Sequence, residues 1–350
     1  MKTVHFKVLL LAALLTLPLF SMFGCAEEQE RADSHAGIAF DTVYDFCFYG
    51  DVTLTHADLS EKLSELTELF SVANEGATLE TFNRSDSLSM TIESDDLCAC
   101  LSDAFRYAAL TNGAFDITLG ALRELWDIKG ASTPIPSADQ IEEARKNSGF
   151  ALASFDAQSR LLTRANTSLG FDLGAIAKGY TVQLLAELYA SSGAVGGVLD
   201  FGGTVTVFGE KPSREPYTVG IRSPYGNADT YAGYLTLLPA ENSSLTVSVS
   251  GLYERYRESD GAIYTHIFDG ASGYPLRADT QEPDRLLSAA VISENGAQAD
   301  ALSTALLVMG QEKAEAFCTL YAEELNFSAL LFAADGQVTE CGTLDYTPLS

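Results

Sequence analysis

The sequence predicts an α+β fold. Three observations carry this: helix-periodic segments fill most of the first half of the chain, β-rich runs separated by Gly, Pro and Asn fill 195 to 295, and no linker or internal repeat divides them. With 350 residues, 47% of them hydrophobic, the chain can bury a sizeable core. One compact unit from about residue 40 onward is expected.

The N-terminus reads as an address. Lys2 and Lys7 flank a short basic start, followed by VLLLAALLTLPLF, which is too short and too Pro-interrupted for a good membrane span. It runs into SMFGC, where a small residue directly before a Cys resembles a bacterial lipobox. On that reading residues 1–24 are a lipoprotein signal peptide and Cys25 carries the lipid; the alternative is ordinary secretion with Cys25 lost or free. Residues 25–39 are expected to be a polar tether, and 40–350 the folded domain.

Within the domain, Thr55-x-x-Asp58 opens a helix by capping-box logic, and Leu59, Leu63, Leu66 and Phe70 make its apolar stripe. A second helix is predicted from Asp95 to Thr111, with Leu97, Leu101, Ala104, Phe105 and Ala108 inward, ended by Asn112-Gly113. Ser137-x-x-Gln140 starts a shorter helix. SFDAQSRLLTR reads as a hairpin. The strand candidates are VLDFGGTVTVFG, YTVGIRS, YAGYLTLLP, SLTVSVSG, IYTHIFD and LLSAAVIS. A helix returns from Ala297 to Met309, and a last hairpin turns at Asp335-Gly336. Cys47, Cys98, Cys100, Cys318 and Cys341 read as buried small hydrophobes or incidental pairs.

Charge excludes one class of function. Forty-eight acids against 21 bases give −27, and losing residues 1–24, which hold Lys2, Lys7 and no acid, carries this to −29. With no Lys/Arg cluster, such a surface repels nucleic acid. A phosphate-bearing ligand would need a cation or oriented amides to reverse the field locally.

Five segments could carry chemistry. In FDLGAIAKGY (171–180) an extended lead-in ends at Asp172 and a helix is expected from about Gly174; its free amides and Lys178 would favour an anion, although such a start is also ordinary structure. In AQADALSTALLVMG, Asp300 and Thr304 share a helix face; carboxylate plus hydroxyl suits Mg²⁺, or else the Asp caps the helix and the Thr bonds its own backbone. In YTHIFDGASGYP, His266 and Asp269 could meet at a site rim, or His266 is a surface residue on an alternating strand. TNGAFDITLGALRELW places Phe115-Asp116 after a turn. In VLDFGGTV, Gly202-Gly203 inside a strand marks a bulge or a close backbone approach.

In this order, GAFDIT, FDLGAIAKGY, DFGGTVTVFG, SVSGLYERY, YTHIFDGASGYP and ADALSTALLVMG resemble the ApbE family, the FAD:protein FMN transferases, over roughly 40 to 345. The resemblance implies a single T-fold-like α+β domain, often exported and lipid-anchored on the extracytoplasmic face of the cell membrane. It implies Mg²⁺ as cofactor and FAD as substrate, with FMN passing to a Thr or Ser hydroxyl of an acceptor flavoprotein in an extracytoplasmic electron-transfer system, and AMP leaving. It puts FAD contacts on Ala114, Phe115, Asp116, Asp172, Lys178 and Ile267, metal ligands on Asp300, Thr304 and the carbonyl of Ala175, and the catalytic base on His266. The sequence departs from the family pattern at Phe40, where a Met is usual, at Ala73 for a Tyr, at Asp200 for an Asn and at Gly270 for a Pro. Two other readings stay open: a Mg²⁺-dependent FAD pyrophosphatase yielding FMN and AMP, and a non-enzymatic flavin-binding lipoprotein.

Overall fold

The computed structural model describes residues 32–128, 134–226, 230–280 and 284–349, so the signal segment and Cys25 lie outside it. In chain order, a hairpin of β1 (Asp33–Ala39) and β2 (Thr42–Gly50) leads to α1 (His56–Phe70), α2 (Thr78–Arg84), β3 (Ser89–Thr91), α3 (Asp95–Leu110), α4 (Gly120–Trp126) and α5 (Ala138–Lys146). The hairpin β4 (Ala153–Asp156) and β5 (Leu161–Arg164) precedes α6 (Ala177–Ser191). Then come β6 (Ala194–Phe201), β7 (Thr204–Gly209), β8 (Tyr217–Arg222), β9 (Tyr231–Leu237), β10 (Ser244–Gly251), β11 (Tyr256–Ser259), β12 (Ala262–Asp269), β13 (Tyr274–Arg277) and β14 (Leu286–Ser293). The chain closes with α7 (Gly296–Met309), α8 (Gln311–Tyr321), β15 (Phe327–Ala333), β16 (Val338–Cys341) and β17 (Tyr346–Pro348).

The α1 capping box forms as its sequence dictates: Thr55 Oγ1 accepts from Asp58 N, and the Asp58 carboxylate accepts from Thr55 N. Its four stripe residues are all buried. Full burial of one such Leu contributes about 1.5–3 kcal/mol. Helix α3 buries the expected residues except Phe105, which is half-buried; Tyr107 and Cys100 fill that face instead. Of the five cysteines described, Cys100, Cys318 and Cys341 are buried, Cys47 and Cys98 are half-buried, and all five are free thiols.

An antiparallel eight-stranded sheet, ordered β1-β2-β6-β7-β10-β14-β15-β16, organises the fold. One face packs on α6 and α7. The other is partly covered by the β17-β9-β8 sheet, through Tyr217, Ile221 and Leu235 against Val207, Val247, Ala290 and Phe332. Strand β1 corrects the expected tether: residues 33–39 pair with β2, and His35, far from being free, bonds Tyr189 Oη through Nδ1 at 2.7 Å. The polar side chains of this stretch suggested a solvated linker. A sheet edge tolerates them, because only one side of the strand needs burial. Gly202-Gly203 is corrected too: the pair does not lie inside a strand but forms the two-residue turn of the β6–β7 hairpin, joining Phe201 to Thr204, with φ of 62° and 88°. Such a turn needs positive φ at both positions, which glycine supplies without strain.

Helix α7 is apolar on nearly every side because it is enclosed by the sheet, α3, α6 and α8. It crosses α6 backbone to backbone. A Cβ on Gly179 would stand 2.0 Å from Gly296 O and 2.7 Å from Asp300 Cβ, and one on Gly296 would stand 2.2 Å from Gly179 O. Gly179→Ala should therefore force the helices apart and cost about 1–3 kcal/mol or more. Urea unfolding checks this; a midpoint equal to that of the unsubstituted protein would refute the tight crossing.

Candidate functional site

The α6–α7 crossing delivers Asp300 to the first turn of α6. The lead-in turn runs from Leu173 to Ile176, closed by bonds from Ile176 N and Ala177 N to Leu173 O, so the helix starts at Ala177 and not at Gly174 as expected. The amide of Gly174 is spent locally, on Asp172 Oδ1 at 2.8 Å. In the third helical position, Gly179 N donates to Asp300 Oδ2 at 3.0 Å. The anion at this helix start is thus the protein's own carboxylate, held by a first-turn amide and favoured by the helix dipole.

Asp300 is only 2% exposed and takes two more donors on Oδ1: the Ser248 hydroxyl at 2.8 Å and Lys178 Nζ at 3.4 Å. A carboxylate this buried must be hydrogen-bonded and charge-paired. One turn further on, Thr304 Oγ1 lies 3.1 Å from Ser250 Oγ, which also lies 2.9 Å from Ser303 Oγ. As a first-turn amide, Gly179 N has no intrahelical acceptor of its own. Ala175 precedes the helix, and among the described residues no backbone amide bonds its carbonyl. The Ala175 carbonyl, the Asp300 carboxylate and the Thr304 hydroxyl are all hard oxygens, the donor type that suits Mg²⁺. No three His, Cys, Asp or Glu side chains are grouped to hold a metal among the described residues.

Ser248 and Ser250 were missed in the sequence. Strand β10 alternates Leu245, Val247 and Val249 with Thr246, Ser248 and Ser250, which reads as a half-solvated strand; here both sides are covered, the hydroxyl side beneath α7 and the Val247 side beneath β8 and β9. Thr206 and Thr204 on β7 continue the row, at 2.7 Å from Thr246 and 3.3 Å from Ser248.

His266 sits on β12, where the pairing with β13 shifts register between Tyr264 and Phe268. Its backbone N–H and its Nδ1 both meet Arg255 O, at 3.0 and 3.1 Å. A carbonyl only accepts, so Nδ1 carries the hydrogen and Nε2 keeps a free lone pair. The ring is part-exposed at its edge but sunk among protein atoms. Desolvation lowers its pKa to about 4; the charges of Arg255 and Lys178 push the same way, while Arg255 O and Asp172 oppose. Asp269 does not reach it, contrary to expectation. The Asp269 carboxylate is bonded by the amides of Ala271 and Ser272 and folds its own loop.

The remaining residues shape the surrounding loops. Asp172 N donates to Ile117 O at 2.7 Å, tying 171–174 to 114–118, and its carboxylate pairs with Arg123 Nε at 2.6 Å. Asp116 is a clamp: it accepts from Thr118 N, Thr118 Oγ1 and Phe150 N, while burial raises its pKa against those bonds. Phe115 and Ile267 are core side chains and Ala114 is half-buried. Phe40 stands in the β1–β2 turn at φ 52° and packs on Phe201 and Phe70. Glu254 lies within the field of Lys178, Arg255, Asp300 and Arg222; burial raises its pKa while the three cations oppose this.

Comparison with known proteins identifies the family. The model of the ApbE family matches residues 40–328. The chain is 29% identical to the FAD:protein FMN transferase of Treponema pallidum over 81% of this chain and 79% of that one, and 29% identical to that of Escherichia coli K12 over 87% of each. Crystal structures of the ApbE protein of Thermotoga maritima and of the flavinyl transferase ApbE of Pseudomonas stutzeri superpose with TM-scores of 0.75 each. They are 26% and 27% identical, covering 89% of this chain and 97% and 95% of theirs.

The His266 environment gives a titration test. With a folded pKa of about 4 against 6.5 unperturbed, the neutral ring stabilises the fold above pH 6.5, and that contribution is lost as the pH falls toward 4. Histidine ¹⁵N NMR across this range should show the Nδ1–H tautomer with a midpoint well below 6. A midpoint near 6.5 would contradict the desolvated placement.

Proposed function

The chain belongs to the ApbE family, and from that premise we propose that it is an FAD:protein FMN transferase acting on FAD and a Thr or Ser hydroxyl of an acceptor flavoprotein. The observation that carries this reading is the buried Asp300 carboxylate held by Gly179 N and Lys178 where α6 crosses α7, with Thr304 one turn along α7 and Ala175 just before α6, and with Lys178 and Asp172 both acting on His266. In a chain of charge −27, a pyrophosphate needs such a local reversal of field. Mg²⁺ held by Asp300, Thr304 and the Ala175 carbonyl would supply charge neutralisation at the pyrophosphate and on the departing phosphate.

The chain's own groups do the rest. Lys178 offers a cation to the phosphates. The loops 114–118 and 171–174, zipped together through Asp172 N and Ile117 O, form the wall that positions FAD. The acceptor hydroxyl attacks the phosphorus nearest the riboflavin, a P–O bond to that oxygen forms, and the bond to the bridging oxygen breaks, releasing AMP. His266 Nε2, left free by the Arg255 carbonyl, takes the hydroxyl proton. The negative phosphates of bound FAD raise the pKa of His266 toward neutrality and so make it a better base at that moment. Water in place of the acceptor would give the pyrophosphatase reaction at the same site.

Incubation with FAD, Mg²⁺ and an acceptor domain, read as covalent flavin fluorescence on a denaturing gel, tests this. His266→Ala should slow labelling by ~10²–10⁴-fold while FAD still binds. Asp300→Asn should move the Mg²⁺ midpoint upward, and Thr304→Val should do so by less. No labelling by the wild type with release of FMN and AMP would favour the pyrophosphatase.

We also propose that Cys25 anchors the protein by lipid to the extracytoplasmic face of the cell membrane, on the strength of the apolar run ending at Gly24-Cys25. Among the described residues no helix is long and apolar enough to cross a membrane. Cys25→Ala should move the protein from the membrane fraction to a soluble or unprocessed form. Unchanged fractionation with a cleaved, unlipidated N-terminus would refute the anchor.

A further inference from the structure

Building on the metal site proposed above, we infer that Lys178 and the divalent cation compete for Asp300, so that Lys178 guards the carboxylate until the metal takes it and then turns to the phosphates of FAD. The three donors on Asp300 are not equivalent. Gly179 N is fixed in the helix, behind the Gly179–Gly296 contact. The Ser248 hydroxyl is fixed on β10, buried and within reach of Thr204 Oγ1. Lys178 alone stands on a flexible four-carbon stem; its side chain is 27% exposed, and its contact is the longest of the three, 3.4 Å against 3.0 and 2.8 Å. A cation ligated to Oδ1 repels the ammonium beside it, and Lys178 is the one donor that can leave.

A carboxylate this buried without a compensating cation is costly, which is why the site needs a lysine. Substituting Lys178 therefore acts in opposite directions on the two ligands: it removes a competitor of the metal and a partner of FAD.

The test is calorimetric titration of the full chain with Mg²⁺ alone at pH 8, and separately with FAD alone. Lys178→Met should bind Mg²⁺ about tenfold more tightly, the effect of removing one neighbouring like charge from a carboxylate site, and should bind FAD more weakly. Lys178→Arg, which keeps the charge, should bind Mg²⁺ as the wild type does. Heating should show a larger Mg²⁺-dependent rise in Tm for Lys178→Met than for wild type. If circular dichroism shows that Lys178→Met is unfolded, Lys178→Gln replaces it with the same expectations. Mg²⁺ affinity in the charge-removing variant equal to or below that of wild type overturns the competition. Asp300→Asn separates the two layers. If it binds Mg²⁺ as wild type does, the metal site itself is wrong; if it loses Mg²⁺ while the Lys178 variant is unchanged, only the competition fails.

Discussion

The N–H of Gly179, in the first turn of α6 and so without an intrahelical acceptor, bonds Asp300 Oδ2 at 3.0 Å. That bond depends on two glycines. Without side chains at Gly179 and Gly296 the helices α6 and α7 touch backbone to backbone, and only then does a residue one turn into α7 reach the first turn of α6. The bond orients a buried carboxylate, and the packing of the core fixes its position.

The sheet supplies the rest of this environment. Strand β10 turns Thr246, Ser248 and Ser250 toward α7, and every one of these hydroxyls has a partner: Thr206, Asp300 and Thr204, or Ser303 and Thr304. A buried polar row is stable only when its members are satisfied in this way, and satisfied rows are rigid. Rigidity matters here because phosphoryl transfer relies on positioning and on charges placed in advance. His266 follows the same logic from another sheet: a backbone carbonyl selects its tautomer, and desolvation keeps it neutral.

Much of this was legible in the sequence, for physical reasons that differ by element. The capped helix α1 and its stripe follow from local rules, and α7 announced itself by length and apolarity. Four-residue spacing puts Asp300 and Thr304 on one helix face but leaves them open between metal ligands and an ordinary cap; only the resemblance to the ApbE family pointed to a site. The hydroxyl row of β10 was not legible, because alternation suggests that the polar face is solvated, whereas both faces of this strand are covered. Strand β1 was misread as tether because none of its residues is fully buried and even Ile38 stays exposed, so it shows no apolar face to mark a strand. Asp269 was misjudged because proximity in sequence hides the amides of Ala271 and Ser272, which capture its carboxylate first. The role of Gly179 could not be seen at all, since it lies in a contact with a residue more than a hundred positions away.

The most direct measurement is a crystal structure with FAD and Mn²⁺, the ion located by its anomalous signal. The account predicts one ion bound by Asp300 Oδ1, Thr304 Oγ1 and Ala175 O at about 2.1 Å, close to the Mg²⁺–oxygen distance. Gly179 N should still bond Asp300 Oδ2. An ion seated elsewhere, or a Gly179 amide that has left Asp300, would contradict it.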